Sequence, residues 1–131
     1  MEFNSNIAVG MQNEVHGSVT AENTAKTVGS GTLAVFATPA MAALMERAAA
    51  ELCQRTCPPG WTTVGTSLSI KHRAATPVGC AVRAAAEVTA VDGRNITLKI
   101  TAYDEHEEIG GIHERVAVMT EKFMAKTERK R

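Results

Sequence analysis

Aromatic side chains are scarce in this sequence, since Phe, Tyr and Trp together make up 4% of its 131 residues. Hydrophobic residues nevertheless make up 44%, which is the composition of a globular protein rather than a disordered one. The core must therefore be filled by small aliphatic side chains, above all alanine. We expect residues 1–131 to form one domain. A chain of this length buries roughly two-thirds of its unfolded surface on folding.

An excess of charge of one sign is also missing, because 14 Lys and Arg balance 14 Asp and Glu. A neutral chain argues against nucleic acid or a membrane surface as the partner. No apolar run approaches the ~18–20 residues that span a bilayer, and the N-terminus lacks the pattern of a signal peptide. The basic residues near the C-terminus form either a solvated tail or a weak phosphate-steering surface; they are Lys122, Lys126, Arg129, Lys130 and Arg131.

Cysteine is limited to Cys53, Cys57 and Cys80. An odd number without a secretory signal is typical of reduced thiols in the cytoplasm, where we expect this protein. No second pair with zinc spacing follows the first two cysteines, so we expect no metal site. Phosphate-binding and dinucleotide-binding loops are absent, and Ser67 and Ser69 lack the strand-turn-helix elbow of a serine hydrolase.

Hydrophobic spacing predicts one long helix and five strands. The helix begins at Thr38-Pro39 and ends before Pro58, with apolar residues at three- and four-residue spacing. Short connections favour antiparallel neighbours. We therefore expect an α+β fold with the helix packed on a five-stranded antiparallel sheet. One helix covers only part of such a sheet, so an edge or face should pair with a second copy. The predicted strands are Val9–Val19, Thr62–His72, Cys80–Val91, Arg94–Tyr103 and Ile109–Met119, the last running on toward Phe123.

Glu46 is unusual among the charged residues of the predicted helix. Its neighbours one turn away on either side are all alanines, whereas Glu51 has Arg47 and Arg55 as intrahelical partners. Two interpretations remain open. Glu46 is either a surface glutamate or a carboxylate held in a cleft, where it can act as a base.

His72 ends the predicted second strand on its apolar face, which it shares with Val64, Leu68 and Ile70. An imidazole there needs a hydrogen-bond partner or a chemical role. The pattern favours a structural and a catalytic histidine equally. A helix packed on this face can bring Glu46 and His72 together as a base and its orienting group.

Two further residues are ambiguous in the same way. Thr38 is first of all a helix cap, although its hydroxyl can also face a ligand at the positive end of the helix dipole. Arg115 lies in the cluster His113-Glu114-Arg115. It either forms a cross-strand ion pair or points into a pocket, and spacing does not decide between these.

Four blocks of the sequence are similar to the fluoroacetyl-CoA thioesterase family of hot-dog-fold enzymes. They are FATPAMAALMERA, GTSLSIKHRAATPVG, VDGRNITLKITAYDEHEEIGGIHERVAV and EKF, within a resemblance that runs from about Val9 to Lys126. The resemblance implies a dimer with active sites at the interface. It also implies catalytic roles for Thr38, Glu46 and His72, and a substrate-binding role for Gly65, Arg115 and the retained Phe36.

The chain departs from this family in the lid before the helix, where Gly29 and Thr32 stand at positions that are aromatic in fluoroacetyl-selective enzymes. We therefore expect an acyl-CoA thioesterase that hydrolyses small acyl-CoA thioesters to a carboxylate and CoA without fluoroacetyl selectivity. No cofactor is expected, since CoA is part of the substrate. The alternatives are a non-catalytic dimer that binds acyl-CoA or a related small ligand and, less favoured, a hot-dog dehydratase.

Overall fold

The computed structural model describes residues 6–130, with side chains described for all of them except 111–114. The side chains of His113 and Glu114, which the sequence grouped with Arg115, and the terminal Arg131 therefore lie outside the described residues. The elements in chain order are β1 (Gln12–Ser18), a 3₁₀ turn (Ala21–Asn23), α1 (Ala25–Val28), α2 (Thr38–Thr56), β2 (Trp61–Ser69), β3 (Ala81–Asp92), β4 (Asn95–Asp104), β5 (Glu108–Met119) and α3 (Thr120–Glu128).

The five strands form one antiparallel sheet in the order β1-β3-β4-β5-β2. The long helix α2 lies across one face of this sheet and contacts β1, β2, β3 and β4. This is the two-layer α+β arrangement predicted from the sequence. β1 and β2 are the edge strands, and within residues 6–130 each has one side that pairs with no other strand. Among residues 6–130, no helix is both long enough and apolar enough to cross a membrane.

Small side chains fill the space between α2 and the sheet, as the shortage of aromatic residues predicts. Alternate residues of β3 and β4 face the helix and are buried, and most of those on β3 are alanine or valine. The helix contributes the long side chains of Met41, Met45 and Leu52, each at most 1% exposed. Full burial of such a side chain is worth about 1.5–3 kcal/mol. The core is therefore tight and places the backbone of α2 close to the strands.

The second strand differs from its prediction in a way that affects the site. β2 ends at Ser69, and a bulge shifts its register between Gly65 and Ser67. A bulge inserts one extra residue, so the side of the sheet that odd-numbered residues face changes there. Trp61 and Thr63 are buried before it. The prediction that β2 continues to His72 is therefore wrong, and His72 lies in the loop that joins β2 to β3.

Two further helices, α1 and α3, were not predicted from the sequence. β5 ends at Met119 and α3 follows, so the predicted extension of the strand toward Phe123 is wrong. The residues of α3 include the strong helix formers Glu, Lys, Met and Ala. The short helix α1 precedes α2. Its cap is Thr24, whose hydroxyl accepts a hydrogen bond from the backbone of Thr27.

Candidate functional site

A threonine and a histidine meet at the N-terminus of α2. The structure places the helix cap at Ala37, which makes no side-chain capping bond, so Thr38 is the first helical residue and not the predicted cap. Its hydroxyl is instead directed at the loop that follows β2. The distance from Thr38 Oγ1 to His72 Nδ1 is 2.8 Å. Sequence analysis selected both residues, and the structure joins them by a hydrogen bond.

The loop that carries His72 is fixed at several points. The backbone amide of Arg73 donates to the carbonyl of Ile109 on β5, at 3.2 Å. Further along the loop, the buried hydroxyl of Thr76 donates to the carboxylate of Asp104 at 2.8 Å. The carbonyl of Thr76 accepts from the amide of Phe36, also at 2.8 Å. These bonds tie the loop of His72 to β4, β5 and the segment before α2.

Phe36 packs against the imidazole. Its ring meets that of His72 edge-on, with centroids 6.4 Å apart and an interplanar angle of 84°. The aromatic side chain is 3% exposed, so it shields one side of the imidazole from water. This contact gives the predicted substrate-binding Phe36 a defined position next to the threonine–histidine pair.

Burial determines the protonation of His72. Desolvation lowers the pKa of His72 from its usual 6.5, and the backbone of Ala74 offsets part of this effect. A neutral imidazole is therefore favoured at neutral pH, and its Nδ1 atom can accept the hydroxyl proton of Thr38. In that tautomer Nε2 carries the proton. Nε2 is buried and has no hydrogen-bond partner within the part of the chain that the structure describes.

A small pocket opens beside this pair. It has a volume of about 240 Å³, and its walls include Thr38, His72, Phe36, Val35 and Ser30. This volume lies below the range of about 300–1,000 Å³ that holds drug-sized ligands. The pocket therefore suits a small group placed directly against the threonine hydroxyl.

A second polar cluster surrounds Arg115. Its guanidinium Nε donates to Thr63 Oγ1 at 3.0 Å, and Nη2 donates to the carbonyl of Thr63 at 3.3 Å. Nη1 lies 3.4 Å from Glu46 Oε2. The side chain of Arg115 is 7% exposed and that of Glu46 is 44% exposed. Gly65 is paired with Arg115 across the strands, so it belongs to the same cluster.

The two clusters are separate within one chain. Thr38 and Glu46 are eight residues apart on a continuous helix, which corresponds to about 12 Å. Glu46 contacts Arg115, while the hydrogen-bond partner of His72 is Thr38. The expectation that packing of α2 on the sheet brings Glu46 onto His72 within one chain is therefore not met.

Three contributors to these clusters were missed from the sequence. Thr76 and Asp104 anchor the histidine loop, and their pairing spans 28 residues, which no local pattern reveals. Thr63 holds the guanidinium of Arg115 through both its hydroxyl and its carbonyl. The sequence does place a threonine at position 63 of the predicted strand. Its side chain could be assigned to the buried face of β2 only after the bulge between Gly65 and Ser67 had been located.

Comparison with known proteins identifies the family of the chain. Residues 19–121 match the family described as FlK, fluoroacetyl-CoA-specific thioesterase. A fluoroacetyl-CoA thioesterase of Streptantibioticus cattleyicolor is 41% identical over 97 residues, which are 73% of this chain and 70% of that protein. A crystallographic study of the fluoroacetyl-CoA thioesterase FlK provides a structure that is 33% identical, with a TM-score of 0.90 over 96% of this chain and 98% of that one. A FlK variant in complex with acetyl-CoA is also 33% identical, with a TM-score of 0.89 over 95% of this chain and 98% of that one.

A long helix against a five-stranded antiparallel sheet, matched at this level, defines a hot-dog-fold protein of the thioesterase superfamily. Within that superfamily the chain belongs to the fluoroacetyl-CoA-specific thioesterase family. The resemblance and the fold read from the sequence are both confirmed.

Proposed function

We propose that this protein hydrolyses small acyl-CoA thioesters to a carboxylate and free CoA. The observation that carries the proposal is the hydroxyl of Thr38 in hydrogen-bond contact with the half-buried imidazole of His72 beside a small pocket. Membership of a thioesterase family supports the same reaction. The reaction needs no metal or cofactor, because an activated oxygen nucleophile and a stabilised oxyanion are sufficient for a thioester.

In the proposed mechanism, neutral His72 accepts a proton at Nδ1 as an oxygen atom attacks the thioester carbonyl. That oxygen is either Thr38 Oγ1, which gives an acyl-enzyme, or a water molecule held in its place. Negative charge develops on the carbonyl oxygen near the N-terminus of α2, where the helix dipole stabilises it. Collapse of the intermediate breaks the carbon–sulfur bond, and His72 returns its proton to the departing thiolate. Water then releases the acyl group if Thr38 holds it.

We further propose a homodimer in which the partner subunit's Glu46 completes the site. His72 Nε2 is buried and has no hydrogen-bond partner among the described residues, so a carboxylate from a second copy would satisfy it. Glu46 is half-exposed on a strip of small residues, with Ala42, Ala43 and Ala50 beside it. β2 lies next to this strip and has an unpaired edge, which favours addition of a second copy.

In such a dimer the residues of the second cluster act on the site of the other subunit. Arg115 orients Glu46 through the 3.4 Å ion pair, and its own position is set by Thr63. Gly65 lies exposed at the bulge of β2 next to Arg115, where a side chain is absent and the thioester can approach the backbone. This assigns each sequence-predicted residue a role in a composite site.

The lid supports a broad preference for small acyl groups. Residues 29–34 contain no aromatic side chain, and Leu33 is 66% exposed rather than packed over the pocket. The aromatic wall of the pocket is Phe36 on the helix side. The site is therefore less completely closed to water, and fluoroacetyl-CoA should not be strongly preferred over other short acyl-CoAs.

All three cysteines are free thiols, which supports a reducing compartment such as the cytoplasm.

The test is release of free thiol from a panel of acyl-CoAs, from acetyl and fluoroacetyl to long chains. Glu46→Gln and His72→Ala are assayed beside the wild type. We expect turnover of the short substrates, with a loss of orders of magnitude in both variants and unchanged circular dichroism. Binding of acyl-CoA without turnover of any substrate would instead identify a non-catalytic binding module.

A further inference from the structure

A groove outside the proposed reaction site lies between α3 and the end of the sheet. It has a volume of about 410 Å³. Trp61 and Val118 line it from the strands, and Phe123 lines it from the helix. Phe123 is 39% exposed, so an apolar ring surface remains accessible. The groove thus offers aromatic surface of the kind on which a planar base can stack.

The charged residues of this groove are all basic. Arg94, Lys122 and Lys126 line it, and no carboxylate does. Among the side chains that the structure describes, no carboxylate lies within ion-pair distance of any of the three. The chain as a whole has a net charge of +0. Three cations without counter-ions around an aromatic surface are complementary to a multiply charged, base-containing anion.

The distance between the groove and the cluster around Arg115 is one that the pantetheine arm of CoA can span. Trp61 and Gly65 are four residues apart on β2 and are paired with Met119 and Arg115 of β5. At about 3.3 Å per residue this is a separation of about 13 Å along the strand. The pantetheine arm of CoA, which contains two amide units, is of comparable length when extended. A thioester placed at Gly65 can therefore extend its nucleotide to the groove.

We propose that this groove, lined by Trp61, Arg94, Lys122, Phe123 and Lys126, binds the phosphorylated adenosine end of CoA. The adenine contacts the aromatic surface and the phosphates contact the three cations. The inference rests on the proposed function, since it places one end of the substrate whose other end reacts at the composite site. It also assigns Lys122 and Lys126, two of the basic residues near the C-terminus, a role that is more specific than a solvated tail.

A direct binding experiment tests the groove independently of catalysis. Trp61 is the only tryptophan of the chain, so its intrinsic fluorescence reports on this surface. The probe is adenosine 3′,5′-bisphosphate, with adenosine as the uncharged comparison. We expect the bisphosphate to change the fluorescence saturably, and Lys122→Ala/Lys126→Ala to weaken its binding about tenfold. The matched control is Arg129→Ala/Lys130→Ala, which removes the same charge outside the groove and should alter binding less than twofold.

Kinetics separates the groove from the reaction site. With acetyl-CoA, the Lys122→Ala/Lys126→Ala variant should raise KM about tenfold and leave kcat unchanged. With the acetyl thioester of N-acetylcysteamine, which lacks the nucleotide, wild type and variant should be equal. Equal bisphosphate binding by wild type and variant, or an equal loss in the Arg129→Ala/Lys130→Ala control, would overturn the inference. Absence of hydrolysis of both thioesters by the wild type would overturn the proposed function, while the fluorescence titration would still decide on the groove.

Discussion

The proposed composite site makes a quantitative prediction for mixtures of two inactive variants. In a dimer whose sites each take Thr38 and His72 from one subunit and Glu46 from the other, His72→Ala and Glu46→Gln damage different halves. Each homodimer then has two defective sites. A heterodimer has one site with both substitutions and one site with neither. Loss of a general base or its orienting group costs about 10²–10⁴-fold, so the parent homodimers contribute little.

The expected activity follows from symmetry. Random exchange between equal amounts of the two variants makes half of the dimers heterodimeric, and half of the sites in those dimers are intact. The mixture should therefore recover about a quarter of the wild-type turnover per subunit, at unchanged KM. Heterodimers isolated by two different affinity tags after co-expression should recover about half. Thiol release from acetyl-CoA is the assay, and light scattering gives the oligomeric state.

A matched control uses two lesions in the same half of the site. Thr38→Ala mixed with His72→Ala leaves a damaged residue in both sites of the heterodimer, so no recovery is expected. If the Glu46→Gln and His72→Ala heterodimer, isolated by its two tags, is no more active than the parents, then Glu46 does not serve the neighbouring subunit and the composite site is refuted. A monomer that is fully active in solution leads to the same conclusion.

Three smaller predictions follow from the same contacts. Burial lowers the pKa of His72 below 6.5, so kcat/KM should be flat at neutral pH and fall as the pH drops through that lowered pKa; an acid limb centred above 6.5 contradicts a buried base. Thr63→Val removes an acceptor from the buried guanidinium of Arg115 and should lower the free energy of unfolding by about 1–3 kcal/mol in urea titrations, whereas Thr63→Ser should restore it. Thr76→Val breaks the bond to Asp104 and should lower kcat several-fold with a stability loss of about 1 kcal/mol; unchanged kcat would show that this anchor does not position His72.

The architecture was predictable because the helix and the later strands follow simple periods. The apolar positions of α2 recur every three or four residues, and every second residue is buried from Val82 to Val88 of β3 and from Ile96 to Ala102 of β4. β2 was less predictable, because the bulge between Gly65 and Ser67 changes which residues face the core. The argument that placed His72 on a buried strand face was therefore wrong, although the residue does lie at the candidate site.

The contacts that form the candidate site could not be predicted from the spacing of hydrophobic residues. Thr38 was recognised as a residue at the start of the helix, but a one-residue shift of the cap to Ala37 changes its role. As a cap, its hydroxyl would be used by the helix backbone, whereas as the first helical residue it is available to His72. The resemblance to a family identified both residues, and their hydrogen bond required the tertiary structure.

Helix geometry is the physical reason for proposing that a second copy completes the site. Thr38 and Glu46 lie on one straight helix, and their separation of about 12 Å cannot be closed without breaking that helix. Rearranging the core cannot help, since Met41 and Met45 between them are fully buried and fix α2 on the sheet. The two-fold axis of the proposed dimer would solve the problem without deforming either chain, because it would place residue i of one subunit near residue j of the other and repeat the contact in reverse. In the proposed dimer, the alanines around Glu46 would let a second backbone approach closely enough for its imidazole to reach the carboxylate.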